Sequence, residues 1–244
     1  MGDRNMSATG FKAQYGWSIA LYRPIIPWLS QILMKCGFSA NGVSWLSFFA
    51  TCVGLIFYLG AGDTLLFRLT VVLWFALATA LDVADGYVAR LTHSAGRFGA
   101  TLDAVLDLFR YNLFFIAVLI KHMPSLIWCG VVAVYAGLAT LSLGRTAWRA
   151  YTGRARETLA NEQWAVLLPK RYREFCLSRG LLYNPLNFED QLNLVIFIAG
   201  VASGQELLAI LVCLIARIFE VFVAAFRAAK KWKLLGSHPG SEVF

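Results

Sequence analysis

Apolar residues fill this chain in long blocks, broken by short polar or glycine-rich intervals. Five blocks run from about Val43 to Leu59, Leu66 to Arg90, Phe98 to Ile120, Ser125 to Gly144 and Leu207 to Ala229. Each can cross a bilayer as a helix, which takes roughly 20 residues with some tolerance for tilt. Gly60-Ala61-Gly62-Asp63 and Lys121-His122-Met123-Pro124 read as tight turns between blocks. A sixth block, Leu186 to Ala202, is apolar only in its second half; Asn187, Glu189, Asp190, Gln191 and Asn193 crowd the first. It reads either as a loop followed by a short helix or as a helix whose polar end lines a headgroup pocket.

The start of the chain has a different pattern. Met1 to Gly10 reads as a flexible lead, and the first 15 residues hold no apolar h-region of a cleavable signal. From Phe11 to Lys35, Trp17, Ile19, Leu21, Ile25, Trp28, Leu29, Ile32 and Leu33 alternate with Lys12, Arg23 and Lys35. Pro24 and Pro27 argue against one continuous span, so an amphipathic element at the membrane interface is expected rather than a first span broken by prolines. Ser39 or Asn41 is placed to cap the helix that follows. The pattern predicts an all-α, polytopic membrane helix bundle of about six transmembrane helices behind an amphipathic segment. The expected division is 1–42 for the N-terminus and juxtamembrane segment, 43–229 for the transmembrane domain with a basic connection at 145–189, and 230–244 for the tail.

Composition agrees. Hydrophobic residues make up 59% of the 244 and charged ones 15%, with a mean hydropathy of +0.62, outside the soluble range. The five cysteines have no metal-ligand spacing, and nothing in their placement points to a disulfide framework. The net charge of +8 is distributed unevenly. Eighteen Lys and Arg residues fall in the N-terminal segment, in the 90–97 and 145–179 stretches and in the tail, whereas Arg68 and Lys121 fall on the other side. The positive-inside rule therefore puts both termini in the cytoplasm. A bilayer, and no nucleic acid, is the expected partner of the basic surplus.

Four carboxylates stand inside otherwise apolar blocks, where each costs several kcal/mol and marks a functional candidate. Asp82 and Asp85 are i, i+3; Asp103 and Asp107 are i, i+4, so each pair shares a helix face. If the two helices are antiparallel neighbours, the pairs form a four-carboxylate cage, suited to hard cations such as Mg²⁺ or Mn²⁺. Gly86, Ala89 and Gly99 keep large side chains away from that cage. Arg90 and Arg97 bracket the short connection, within reach of phosphate oxygens. Arg110 reads as a possible counter-charge to the acids or a phosphate contact. Arg145 and Arg149 are candidate contacts for an anionic acceptor, and Arg217 with Glu220 reads as an internal salt bridge. His93 reads as a solvated turn residue rather than a base.

Asp82, Asp85, Gly86, Ala89, Arg90, Gly99, Asp103 and Asp107 match D-x-x-D-G-x-x-A-R-x8-G-x3-D-x3-D without a departure. This resembles the signature of the CDP-alcohol phosphotransferase (CDP-alcohol phosphatidyltransferase) family of integral membrane enzymes. The family often shows Thr/Ser-Pro-Asn-x-Val-Thr before its first span; here Ala40 replaces the proline and Ser44 the final threonine. The resemblance implies transfer of a phosphatidyl group from a CDP-activated lipid, CDP-diacylglycerol above all, to the hydroxyl of a small alcohol, with release of CMP. It implies two Mg²⁺ or Mn²⁺ ions on Asp82, Asp85 and Asp103, with Asp107 as general base and a shared metal ligand. It implies nucleotide access past Gly86, Ala89, Arg90 and Gly99, and a homodimer. The expected location is a bacterial inner membrane, with the active site cytoplasmic. Inositol phosphate, glycerol phosphate and serine are all acceptors of enzymes with this signature, which leaves the acceptor open. A cation transporter is the alternative use of intramembrane carboxylates; it gives no reason for Gly86, Ala89, Arg90 and Gly99 at these spacings.

Overall fold

The computed structural model describes residues 16–60, 64–122, 125–152, 169–179, 181 and 190–236, and among them every element is helical. The expected flexible lead, most of the two expected turns, the residues Arg154 and Arg156, the polar pair Asn187 and Glu189, and the end of the tail lie outside the described residues.

The two prolines have the predicted effect. α1 (Trp17–Tyr22) and α2 (Ile26–Lys35) are separate short helices. Pro24 falls in the turn between them and Pro27 in the first turn of α2, where no intrahelical N–H bond is lost. α3 (Ala40–Gly60) begins one residue after Ser39, whose Oγ accepts the Gly42 N–H at 3.2 Å. α4 (Leu65–Leu91), α5 (Arg97–His122) and α6 (Leu126–Thr152) follow with short connections that make each antiparallel to its predecessor. α6 runs past Gly144, the expected end of its span, because Arg145 to Thr152 contains no breaker and Ala147 and Ala150 favour helix. The first residues of the expected basic connection are therefore helical, and Lys170–Arg179 forms α7 within it. α8 joins a π-helical stretch, Gln191–Gly200, to a closing α turn, Val201–Ser203. α9 (Glu206–Gly236) completes the described chain and extends beyond the expected limit at Ala229.

α3 packs on α4 and α5, α5 on α6, and α9 on α8 and α6. At the centre Phe197 of α8 stacks on Phe75 and meets Phe114 edge-on, with both centroids 4.5 Å away. α2 buries Ile26 and Leu33 in a second cluster with Val43, Ala50, Ala78, Leu81 and Ala84. The α3–α4 crossing is close: a Cβ on Gly54 would stand 3.0 Å from the Trp74 Cβ. α3, α4 and the Leu126–Trp148 part of α6 are long and apolar enough to cross a membrane. The chain is an all-α membrane helix bundle.

The described polar residues of the sixth block, Asp190, Gln191 and Asn193, turn inward. Asp190 accepts the Trp17 and Ser18 N–H groups at 2.9 and 2.5 Å, so it caps α1 from the far side of the sequence. Gln191 Oε1 accepts Tyr135 Oη at 3.0 Å, and Asn193 Oδ1 accepts Thr79 Oγ1 at 3.2 Å. At the bundle end where α8 meets α9, Gly204 adopts φ +71°, and a Cβ there would strike the Arg68 guanidinium at 2.3 Å. Glu206, buried beside that turn, accepts Tyr58 Oη at 3.0 Å and pairs with His122 Nε2 at 2.9 Å. The expected Arg217–Glu220 bridge is present at 2.5 Å, with Arg217 also donating to Ser142 Oγ on α6.

Candidate active site

α4 ends and α5 begins at the bundle end opposite the Glu206 cluster, joined by a turn whose shape is set locally. The Ser94 N–H returns to the Ala89 carbonyl at 2.9 Å and the His93 N–H to that of Arg90, closing the C-terminus of α4. His93 supplies the left-handed residue this closure needs, at φ +53°. Histidine enters that region more readily than most residues. Its side chain is exposed, in keeping with a solvated turn residue.

The turn reverses the chain so that the two aspartate pairs face each other. Carboxylate oxygens of Asp82, Asp85 and Asp103 lie within 4.8 Å of one another. Asp85 is buried, while Asp82 and Asp103 are half-buried. Ser44 of α3 donates to Asp85 Oδ2 at 2.5 Å and so fixes one carboxylate from a third helix. Three carboxylates within reach of one point, with no sulfur or nitrogen donor among them, fit a hard divalent cation.

Asp107 is not part of that triad. Its Oδ1 accepts a hydrogen bond from Arg110 Nη2, one turn along the same helix. The same guanidinium donates through Nη1 to Asp82 Oδ1 at 3.1 Å and to Ser47 Oγ at 3.0 Å. Its Nη2 also meets Tyr111 Oη at 3.1 Å. The four carboxylates do converge, but as three oxygens facing one another and a fourth acid tethered to an arginine. Ser44, Ser47, Phe48, Asp82, Asp103, Leu106, Asp107 and Arg110 line a narrow recess at this point.

The remaining expected residues fall around the recess. A Cβ on Gly86 would meet only Arg90 Nη1, the end of a flexible side chain, at an ordinary 3.5 Å. Gly99 lets Asn41 approach, since a Cβ there would stand 3.3 Å from its Oδ1. Ala89 is half-buried; Arg90 and Arg97 are exposed at the two ends of the turn. Arg145 is exposed on the part of α6 that ends on this side of the bundle, and the Arg149 side chain lies outside the described residues.

Sequence reasoning passed over Ser44 and Ser47 as contributors to the site. Their signal was a polar stripe, Ser44, Ser47 and Thr51, at i, i+3 and i+7 in an otherwise apolar helix.

A family model described as CDP-alcohol phosphatidyltransferase matches residues 38–178, which contain α3 to α6, all of α7 but its last residue, and every residue of the aspartate site. A comparison with curated proteins found no match.

Proposed function

The chain belongs to the CDP-alcohol phosphatidyltransferase family, and on that premise we propose that it transfers a phosphatidyl group from CDP-diacylglycerol to the hydroxyl of a small polar alcohol. The observation that carries this reading is the convergence of Asp82, Asp85 and Asp103 beside Asp107.

In this reading Asp82, Asp85 and Asp103 would hold two Mg²⁺ or Mn²⁺ ions. When bound there, such ions neutralise diphosphate charge and stabilise the departing CMP. Asp107 takes the proton of the acceptor hydroxyl. The freed oxygen bonds to the phosphatidyl phosphorus as the bond to CMP breaks. The missing side chain of Gly86 and the small one of Ala89 admit the nucleotide, while Arg90 and Arg97 meet phosphate at the mouth. Arg145 and Arg149 draw in an acceptor that is itself anionic. A cytoplasmic mouth in a bacterial inner membrane suits a soluble acceptor and CMP, and the donor's acyl chains stay in the bilayer. The catalytic unit is the 43–229 stretch.

The test is incubation of purified protein with labelled CDP-diacylglycerol, Mg²⁺ and a panel of alcohols, with lipid products read by mass spectrometry. The expected result is CMP release coupled to one new phospholipid and abolished by chelator. No CMP release with any acceptor would sink the reading, and full turnover in excess chelator would remove the metals from it.

A further inference from the structure

The bundle end away from the aspartates holds a second recess, whose lining includes Tyr58, Phe67, Arg68, Lys121 and Glu206. The uneven spread of charge leaves that end poor in cations. Arg68 and Lys121 are the Lys and Arg found there among the described residues, and both line the recess, from α4 and α5. The turn between α8 and α9 sets Arg68 in place: its Nη1 donates to the Ser203 carbonyl at 3.1 Å, and its guanidinium rests where Gly204 has no Cβ. Lys121 Nζ lies over the Tyr58 ring, 4.5 Å from the centroid, and stands 3.8 Å from Glu206 Oε1, beyond hydrogen-bond reach. Glu206 is already engaged by Tyr58 Oη and His122 Nε2. The lining thus carries two cations against one carboxylate whose partners are other side chains.

The depth of the recess suits a headgroup. Arg68 and Arg90 are 22 residues apart on α4, about 33 Å at 1.5 Å per residue, close to the roughly 30 Å of a bilayer's hydrocarbon core. With Arg90 at one headgroup layer, Arg68 therefore stands at the other. Leu69, Leu73 and Leu77 are exposed at i, i+4 and i+8, an apolar stripe that leads from beside Arg68 toward the bilayer centre. A free anion has no use for such a stripe; an acyl chain has. We propose that this recess binds the phosphate of an anionic lipid from the leaflet opposite the aspartate site. Arg68 and Lys121 meet the phosphate oxygens from two helices, Glu206 keeps its present partners, and an acyl chain lies along the leucine stripe. Because the recess forms only where α3, α4, α5 and α9 meet, its occupant stabilises the folded bundle by mass action. The site lies about 21 Å along α4 from Asp82 and does not depend on the chemistry there.

The experiment is thermal unfolding of the full-length protein in detergent micelles, with dioleoylphosphatidylglycerol, dioleoylphosphatidylcholine or inorganic phosphate added, and native mass spectrometry to count bound lipids. The two lipids share a phosphodiester and acyl chains and differ in net charge. At a lipid concentration about 100-fold over its Kd, the native protein is expected to melt roughly 5–10 °C higher with phosphatidylglycerol than with phosphatidylcholine. The Arg68→Gln/Lys121→Gln double variant should lose at least about two-thirds of that difference and one bound lipid, since both cations of the site are gone. A Lys170→Gln/Arg171→Gln variant removes as much charge from exposed positions on α7 and should keep the difference in full. Equal melting in the two lipids overturns the proposal, as does a difference that survives in the double variant or falls equally in the α7 variant. If inorganic phosphate reproduces the native rise and the double variant abolishes it, the recess takes a free ion and the lipid assignment is overturned. Should the double variant fail to fold, Lys121→Gln decides alone, and an undiminished difference in it overturns the site.

Discussion

Ser44 and Asp85 meet across the α3–α4 interface, hydroxyl to carboxylate at 2.5 Å, with Asp85 almost sealed from solvent. A buried carboxylate held by a hydrogen bond cannot swing, and a ligand that cannot swing loses little freedom when an ion arrives. Ser44→Ala removes that tether. Net hydrogen-bond contributions of about 0.5–1.5 kcal/mol correspond to a two- to twelvefold loss of Mn²⁺ affinity, with larger losses where the charged partner is left unsatisfied. Ser44→Thr keeps the hydroxyl and should stay near native. Isothermal titration of both variants checks this, and equal affinities for Ala and Thr would show the tether to be idle.

The aspartates separate by assay. Asp103→Asn should weaken Mn²⁺ and CDP-diacylglycerol binding together. Asp107→Asn should leave both largely intact while turnover falls by roughly 10²–10⁴, the scale of losing a general base. Calorimetry with the donor lipid in Mg²⁺, alongside initial rates, distinguishes the two. Donor affinity lost as badly in Asp107→Asn as in Asp103→Asn would make Asp107 a ligand first.

His93 offers a clean negative. It supplies a left-handed backbone at the end of α4, and its side chain faces solvent. Glycine adopts that backbone without the Cβ penalty, so His93→Gly should keep kcat within about twofold and leave thermal stability unchanged or slightly raised. A large fall in kcat with a native melting curve would instead give the imidazole a chemical role.

The far end of the bundle should respond in the opposite sense. Glu206 gathers Tyr58 and His122, with Lys121 Nζ at 3.8 Å, so it ties α3 and α5 to the start of α9. Glu206→Gln weakens those contacts, at a cost of about 1–3 kcal/mol. A lower melting temperature in detergent, with Mn²⁺ affinity unchanged, is the expected pair of results. An altered Mn²⁺ affinity would mean that the two ends are coupled.

Orientation follows from charge. A cysteine placed at Arg97 and a tag after Phe244 should both be labelled only from the cytoplasmic side. Labelling of either from the opposite face overturns the cytoplasmic site.

Much of this architecture was legible because one helix carries its own ruler. A spacing of three put Asp82 with Asp85 and Arg217 with Glu220, and the prolines divided α1 from α2, all within single segments. Contacts between helices depend on rotation and depth, which no periodicity records. Hence Arg110 was visible as a charge near the acids, but not as the bridge between Asp82 and Asp107. Ser44 stood in the sequence only in place of a motif threonine, and its bond to Asp85 depends on α3 lying against α4. The polar residues 190, 191 and 193 marked α8 as unusual, yet their partners Trp17, Ser18, Tyr135 and Thr79 lie as much as 173 positions away. The π-helical winding that presents them has no compositional signal of its own.

The cap that Asp190 places on α1 also sets an order of events during synthesis. The Ser18 amide leaves the ribosome 172 residues before the carboxylate that will bind it. At about 5–20 residues per second that interval is roughly 10–35 s. Through it the Ser18 amide waits for its acceptor, although α2 to α6, with all four aspartates, have already been made. A nascent chain arrested before residue 190 would thus hold the whole catalytic signature with the Asp190 cap on α1 still unmade. One of the earliest helices is finished by one of the latest residues.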